Sequence, residues 1–362
     1  VVGPQSAGAD PGPLAYGRRG PGPDGEGVTV TDANLILGRL PEAGLLGGAM
    51  ELDGDAALEG LRKLADAASR APGSRELSPY EAAEGVVRVA VTAMSGALRR
   101  ISVERGKDPR EYALVAFGGA GAMHAAALAR EMGIGLVLVP HEPGLLSAVG
   151  TLVAGTRVDR ARTVLGMDPG ENAAGVESVW RELESEVAAG LEEAGTPAGR
   201  CRLARTADMR YRGQSFELTV DAGQCVGDGD LSWAELCGRF AAAHRERYGY
   251  ERPGMAVEMV SLRVEGHGPG AATLDELLPP LEGSRPAKGI REEYGMGRGG
   301  FPGRTLIWEG RSLEAAQIPR NELAAGQHLR GPALIHEFSG TTIVPPDAEV
   351  EVDRYGDLLI RV

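Results

Sequence analysis

The chain has 362 residues, 43% of them hydrophobic but only 4% aromatic, with a formal net charge of −13. That length admits two or three domains of roughly 100–200 residues each, with cores built mainly from Ala, Val and Leu. The acidic balance argues against a nucleic-acid or anionic-membrane surface, and no apolar run approaches the roughly 20 residues a membrane span needs.

Cys201, Cys225 and Cys237 form no Cys-x-x-Cys pair, so they read as reduced thiols of a cytoplasmic protein rather than a disulfide framework. The 54 glycines and 23 prolines show no fixed period, which excludes collagen-like repeats. The chain opens at Val1, without Met, in a Gly/Pro-rich stretch, and a start further upstream is expected.

Residues 1–34 read as loop with short extended pieces, dense in Gly and Pro over 1–27. Val28–Asn34 leads into a short helix over Leu35–Leu40, with Asp32 expected as its cap. Leu52–Ala68 has an amphipathic pattern. Ser78, Pro79 and Glu81 make a capping box ahead of apolar residues at helical spacing from Ala83 to Ile101, and Gly106 is expected to stop that helix.

Tyr112–Phe117 is nearly all apolar, as for a buried strand, and Gly118-Gly119-Ala120-Gly121 follows at once. Ala122–Met132 reads as a helix and Leu136–Val139 as a second strand, together a βαβ unit. Ser147–Ala154 reads as a small-residue helix. The character changes near Gly166–Asn172, dividing the chain into 1–165 and 166–362.

Beyond that point helices are expected over Val176–Ala194 and Ser232–Arg247, and strands over Thr206–Val220 and Val257–Gly266. Gly268–Gly300 reads as an irregular connection, and Thr305–Val362 as hairpins of a small antiparallel subdomain.

The glycine turn carries the strongest chemical signal. Glycines between a strand and a helix let a ligand approach backbone, and the helix behind them points free N–H groups at it. A nucleotide-contacting loop and a plain packing turn both fit. A dinucleotide fingerprint fits less well: His124 stands where its third glycine belongs, and Glu142, the candidate ribose acid, follows Pro140 in a turn. No Lys-Ser/Thr pair follows the glycines, so there is no Walker A loop. His124 alone on its helix reads as a core residue as readily as a ligand-binding one.

Several stretches in order resemble one family. They are Ser6–Pro13 with Tyr16-Gly17, Val28–Asn34 with Leu37–Leu40, Ile101–Gly106 with Asp108-Pro109-Arg110, Ala116–Gly121 with His124-Ala125, and Pro143–Gly150. Further on come Arg210–Ser215, Arg247–Tyr250, Gly331–Ile335 and Thr341–Pro346. Together they resemble the hydantoinase A/5-oxoprolinase family, including subunits of ketone carboxylases. Two positions depart from it: Ala15 stands where a Cys is usual, and Ala122-Met123 precede His124 where Pro-Leu is frequent.

The resemblance implies an α/β fold, the second lobe of an actin-like, sugar-kinase-like ATPase. Residues 1–165 would be the C-terminal portion of the ATPase domain, followed over 166–362 by an α+β C-terminal domain with antiparallel hairpins. The family's Asp-x-Gly-Gly-Thr and Gly-Gly-Thr phosphate loops are not in this sequence, so a missing N-terminal half is implied, with a hydantoinase B-type subunit as a further partner.

The implied reaction is ring opening of a cyclic amide activated by ATP and Mg2+. A ketone carboxylase subunit and a non-catalytic assembly fragment are the alternatives. The resemblance puts Gly118, Gly119, Gly121 and His124 at the nucleotide, and Asp10, Asp32 and Asn34 at the cleft as catalytic candidates. Arg99, Arg100 and Arg105 are weaker phosphate candidates, and Arg210, Arg212 and Gln214 read as structural.

Overall fold

The computed structural model describes residues 6–8, 10–22, 24–41, 44–167, 172–197, 199–224, 232–281, 303–338 and 340–362. Cys225 and most of the expected connection over 268–300 lie outside them. The chain divides into unit 1 (Val1–Val149 and Asp275–Val362) and unit 2 (Gly150–Leu274). This differs from a single boundary near residue 166, because the tail returns to the first unit instead of forming a subdomain with the middle of the chain.

Unit 1 begins with three helices. In α1 (Val30–Ile36) the N-cap is Thr29, whose hydroxyl accepts from the Asp32 N–H while the Asp32 carboxylate accepts from the Thr29 N–H. Asp32 is therefore the third helical residue, not the cap, and the helix starts five residues before the expected Leu35. The next helix, α2 (Gly54–Ser69), is capped by Asp53. Its successor α3 (Pro79–Ile101) starts on the Ser78–Glu81 capping box. It ends before Gly106, which instead closes a following 3-10 turn in the left-handed region.

Next come β1 (Leu114–Val115), α4 (Gly121–Met132) and β2 (Leu136–Val139), with β1 parallel to β2. The strand β1 lies at a sheet edge, so Val115 and Phe117 are exposed, against the expectation of a buried strand. The short helix α5 (Leu146–Val153) spans the division between the units.

Among its described residues, unit 2 has a four-stranded antiparallel sheet and two long helices. In chain order it holds β3 (Arg157–Thr163), α6 (Ala173–Glu193), β4 (Arg202–Tyr211), β5 (Leu218–Gln224), α7 (Trp233–Tyr248) and β6 (Val257–His267). The sheet order is β3-β6-β4-β5. The expected strand over Thr206–Val220 is two strands of a hairpin, broken at Arg212–Glu217. Trp180, Leu183, Val187 and Leu191 recur at three- and four-residue spacing along α6 and meet Met209, Leu262 and Val264 of the sheet.

The chain re-enters unit 1 with β7 (Gly303–Trp308), β8 (Arg311–Pro319), β9 (His328–Arg330), β10 (Ala333–Glu337), β11 (Gly340–Val344), β12 (Glu349–Val352) and β13 (Leu358–Arg361). One sheet has the order β11-β10-β8-β7, with β8 and β10 parallel. The other has the order β1-β2-β13-β12-β9, so the last strand pairs antiparallel with β2, Leu358 against Val139. Leu61, Val87, Ala129, Val137, Ile335 and Ile360 share one core that ties the helices to both sheets. Each fully buried Leu or Ile there contributes about 1.5–3 kcal/mol.

Candidate functional site

The chemistry of unit 1 gathers at a cavity of about 980 Å³. One wall is α1, which presents Asn34. A second is the turn before α4, with Gly119, and the first turns of that helix, with His124. A third is the turn after β2, with Glu142, and the last is Arg320 with the His336-Glu337 end of β10.

Gly118 takes φ +84°, the left-handed region that glycine favours, and its N–H donates to the Pro143 carbonyl (2.8 Å). A Cβ on Gly340 would stand 3.1 Å from the Gly119 carbonyl oxygen, so β11 presses its backbone against the turn. The helix α4 has no side-chain cap at its N-terminus, which leaves its first N–H groups for another acceptor.

Asn34 is fixed in orientation. Its Nδ2 donates to the Val30 carbonyl (2.9 Å) and its Oδ1 accepts from Arg39 Nη1 (3.3 Å). The Nδ2 is also 3.5 Å from His124 Nε2. An amide N–H facing that nitrogen makes Nε2 the acceptor and puts the ring proton on Nδ1. His124 Nδ1 is buried with no partner among the described residues. Burial first, and then the Arg39 charge, hold the His124 pKa down at about 4, so the ring is neutral. Arg39 is itself buried and lies over the Trp308 ring at 5.4 Å, and burial lowers its pKa to about 10 against the pull of Glu84.

Across the cavity both carboxylate oxygens of Glu337 are shut off from solvent without a partner among the described residues. Burial pushes the Glu337 pKa up to about 7; Arg320 opposes that rise and Glu142 adds to it. Glu142 holds φ +54°, an uncommon conformation for a residue with a side chain. Arg320 donates through Nη2 to the Val139, Pro140 and Gly356 carbonyls (3.2, 3.4 and 2.6 Å). Burial, and then Arg304, hold His336 down at about 4.

The structure thus brings Asn34, Gly119 and His124 to one cavity, with Gly118 and Gly121 flanking its turn. Asp32 is fully buried but does not line the cavity. Its Oδ1 accepts from the Ala15 N–H (2.7 Å), and its Oδ2 from the Thr29 N–H (2.7 Å) and hydroxyl (2.8 Å). Asp10 is exposed in the N-terminal loop, and Arg99, Arg100 and Arg105 are exposed away from the cavity.

Sequence reasoning passed over Glu337, His336 and Arg320. The one available signal was a polar pair, His336-Glu337, ending the apolar run Ala333-Leu334-Ile335. Among the described residues no group of three or more His, Cys, Asp or Glu is placed to hold a metal ion.

Residues 1–160 match the hydantoinase/oxoprolinase family model. The chain is 36% identical to an uncharacterised protein of Methanocaldococcus jannaschii over 99% of its own length and 48% of that protein's. It is 31% identical to the caprolactamase subunit alpha of Pseudomonas jessenii, over 97% of this chain and 48% of the relative. Against 5-oxoprolinase 1 of Arabidopsis thaliana it is 30% identical over 100% of this chain and 28% of the relative.

Two solved structures share the fold at a TM-score of 0.74, each covering 99% of this chain and 49% of its own. One is the ATP-dependent caprolactamase of Pseudomonas jessenii at 27% identity, the other nucleotide-free acetone carboxylase at 23%. The chain belongs to the hydantoinase/oxoprolinase family. It spans about half the length of the first two relatives.

Proposed function

We propose that the chain is part of an ATP-dependent cyclic amide hydrolase, active in the cytoplasm with a further half that carries the phosphate loops and with a B-type partner subunit. The observation that carries this reading is the convergence of Asn34, Gly119, His124 and Glu337 on one cavity. The names of the relatives, a caprolactamase subunit and 5-oxoprolinases, supply the substrate class.

A volume of about 980 Å³ suits a nucleotide-sized ligand. The turn Gly118–Gly121 has no side chain larger than the methyl of Ala120 to hold a ligand away from the backbone. Mg2+ fits this site as a companion of the nucleotide, drawing most of its oxygens from phosphate and water, rather than as an ion caged by the protein. When bound, ATP with Mg2+ would supply the phosphoryl group that, placed on the amide oxygen, opens the ring carbonyl carbon to attack by water.

The chain's own groups would then move protons and orient. Glu337, at about 7, would take a proton from water and return one to a departing ring nitrogen once a bound ligand opens its buried oxygens. His124 offers Nδ1–H as a donor, held in that tautomer by Asn34. Asp32 holds the Ala15 segment to α1 in this reading, and Asp10 takes no part.

The test is phosphate release by the chain, alone and co-expressed with a family N-terminal half, across 5-oxoproline, hydantoin, caprolactam and acetone. Lactam-dependent release by the complemented enzyme is expected. Acetone-dependent release with bicarbonate would favour a ketone carboxylase subunit, and full turnover by the chain alone would overturn the need for a second half. Gly119→Val should weaken ATP binding about tenfold, on the order of 1.4 kcal/mol, with the melting temperature without nucleotide unchanged.

A further inference from the structure

Unit 2 has a cavity of its own, about 300 Å³, that the reading above does not use. It is built by two stretches far apart in sequence. Phe240, His244 and Tyr248 stand four residues apart and share one face of α7. Gly249, at φ +81°, turns the chain so that Tyr250 comes back against His244, ring centroids 5.0 Å apart. The connection between β4 and β5 brings Gln214, Ser215 and Phe216 to the same cavity, and Phe216 is 78% exposed.

His244 is the unusual member, 1% exposed and ringed by Tyr211, Phe240, Tyr248 and Tyr250 at 4.7–5.9 Å between centroids. Its Nδ1 lies 2.7 Å from the Tyr250 carbonyl oxygen. A carbonyl only accepts, so Nδ1 carries a hydrogen, and in that tautomer Nε2 is a bare acceptor. That Nε2 is buried and has no partner among the described residues. An unmet buried polar atom costs about 1–3 kcal/mol, and a Phe at this position would fill similar space without that cost.

The geometry points to a ligand site here for a small neutral ring compound carrying one N–H or O–H donor, which Nε2 accepts while the aromatic rings pack its body. A cation is disfavoured because the Arg252 guanidinium already sits over the Tyr250 ring at 5.7 Å. An anion finds no Lys or Arg among the lining residues. The volume lies at the small end for organic ligands. To reach Nε2 the ligand must displace lining side chains, and those of Ser215 and Phe216 are exposed.

The experiment titrates the whole 362-residue chain with phenol and 2-piperidone, and with anisole and N-methyl-2-piperidone as counterparts lacking the donor. It follows binding by calorimetry and the ¹⁵N resonance of His244 Nε2. Donor-bearing probes should bind about tenfold more tightly than their methylated counterparts, because a site built to receive a donor rejects its absence. Only they should move the Nε2 signal.

His244→Phe should abolish the discrimination. Phe216→Ala, at an exposed position, should weaken the donor probes about threefold through lost contact area, with the melting temperature unchanged. Equal affinity for both members of each pair, no binding of either donor probe, or indifference to Phe216→Ala would overturn the site. The ¹⁵N and Phe216→Ala results decide the matter even if His244→Phe does not fold.

Discussion

The cavity of unit 1 and the charged layer beneath α6 in unit 2 both take ionisable groups out of water, and they treat them in opposite ways. In unit 2, Arg205 donates to Glu184 (2.6 Å) and through two nitrogens to Glu177 (2.8 and 3.0 Å). Burial alone would lower the Arg205 pKa, yet the two carboxylates carry it above its ordinary value, while Arg205 holds Glu177 below its own. Charge is kept there because every charge has a partner. In unit 1, Glu337 and His124 have buried atoms with no partner, and burial drives both toward neutrality. Paired burial builds a charged strut; unpaired burial leaves neutral groups, of which Glu337, at about 7, can exchange a proton near neutral pH.

That contrast can be broken most sharply at Glu337. Glu337→Gln keeps shape and removes the titrating proton, and turnover of the complemented enzyme should fall by roughly 10²-fold or more. Thermal stability should hold or rise. A rate unchanged in steady-state assays would return Glu337 to the inert wall of the cavity.

At the strut, Arg205→Ala should cost about 2–3 kcal/mol by leaving the largely buried Glu184 without a counter-charge and Glu177 with only Arg181. Denaturant unfolding would read the loss, and a midpoint within error of the parent would show that solvent already screens the pair.

Asp32 is a paired group within unit 1 and belongs with the strut. Both of its oxygens accept from backbone N–H groups. Asn could offer only one oxygen, so Asp32→Asn should cost about 1–3 kcal/mol even though Asn caps helices as well as Asp does. A neutral substitution with lost turnover would instead move Asp32 into the reaction.

The smallest effect is in the pH dependence of stability. His124 and His336 ordinarily titrate at 6.5 and are held at about 4, so the stability tied to their neutral forms is full above 6.5 and is lost as pH falls toward 4. Glu337, raised from 4.5 to about 7, acts with the other sign: stability is full below 4.5 and is lost as pH rises through 7. The two trends oppose each other between those limits. Glu337→Gln should remove the alkaline loss, a gain of about 1 kcal/mol at pH 8 after discounting for partial exposure. Melting curves from pH 4.5 to 8 that run parallel for both proteins would show that the carboxyl ionises freely.

Elements whose ends are written locally were legible in sequence. Ser78-Pro79 with Glu81 located the start of α3, Ser232 with Glu235 that of α7, and Gly133 and Pro140 bracketed β2. Partners were not legible. Alternation marked Leu358–Arg361 as a strand but held nothing to say that it lies beside β2. The strand β3, with Arg157, Asp159, Arg160 and Arg162, escaped notice because an edge strand needs little apolar surface. Gly119 stood out in a glycine turn between strand and helix, whereas Asn34 and the nucleotide role of His124 came only with the family resemblance. Glu337 did not stand out, because its raised titration comes from burial and from Glu142, against the pull of Arg320, none of which is local.

The return of β13 to the side of β2 bears on how the polypeptide emerges during synthesis. Unit 2 is uninterrupted, from Gly150 to Leu274, and can close its sheet as soon as those residues leave the ribosome. Unit 1 begins earlier but must hold β2 unpaired on one side until Leu358–Arg361 has been made. Within this stretch the usual amino-to-carboxyl order of maturation is thereby reversed, and from the emergence of β2 until that of β13 a chaperone would meet the open flank of β2 rather than the finished unit 2.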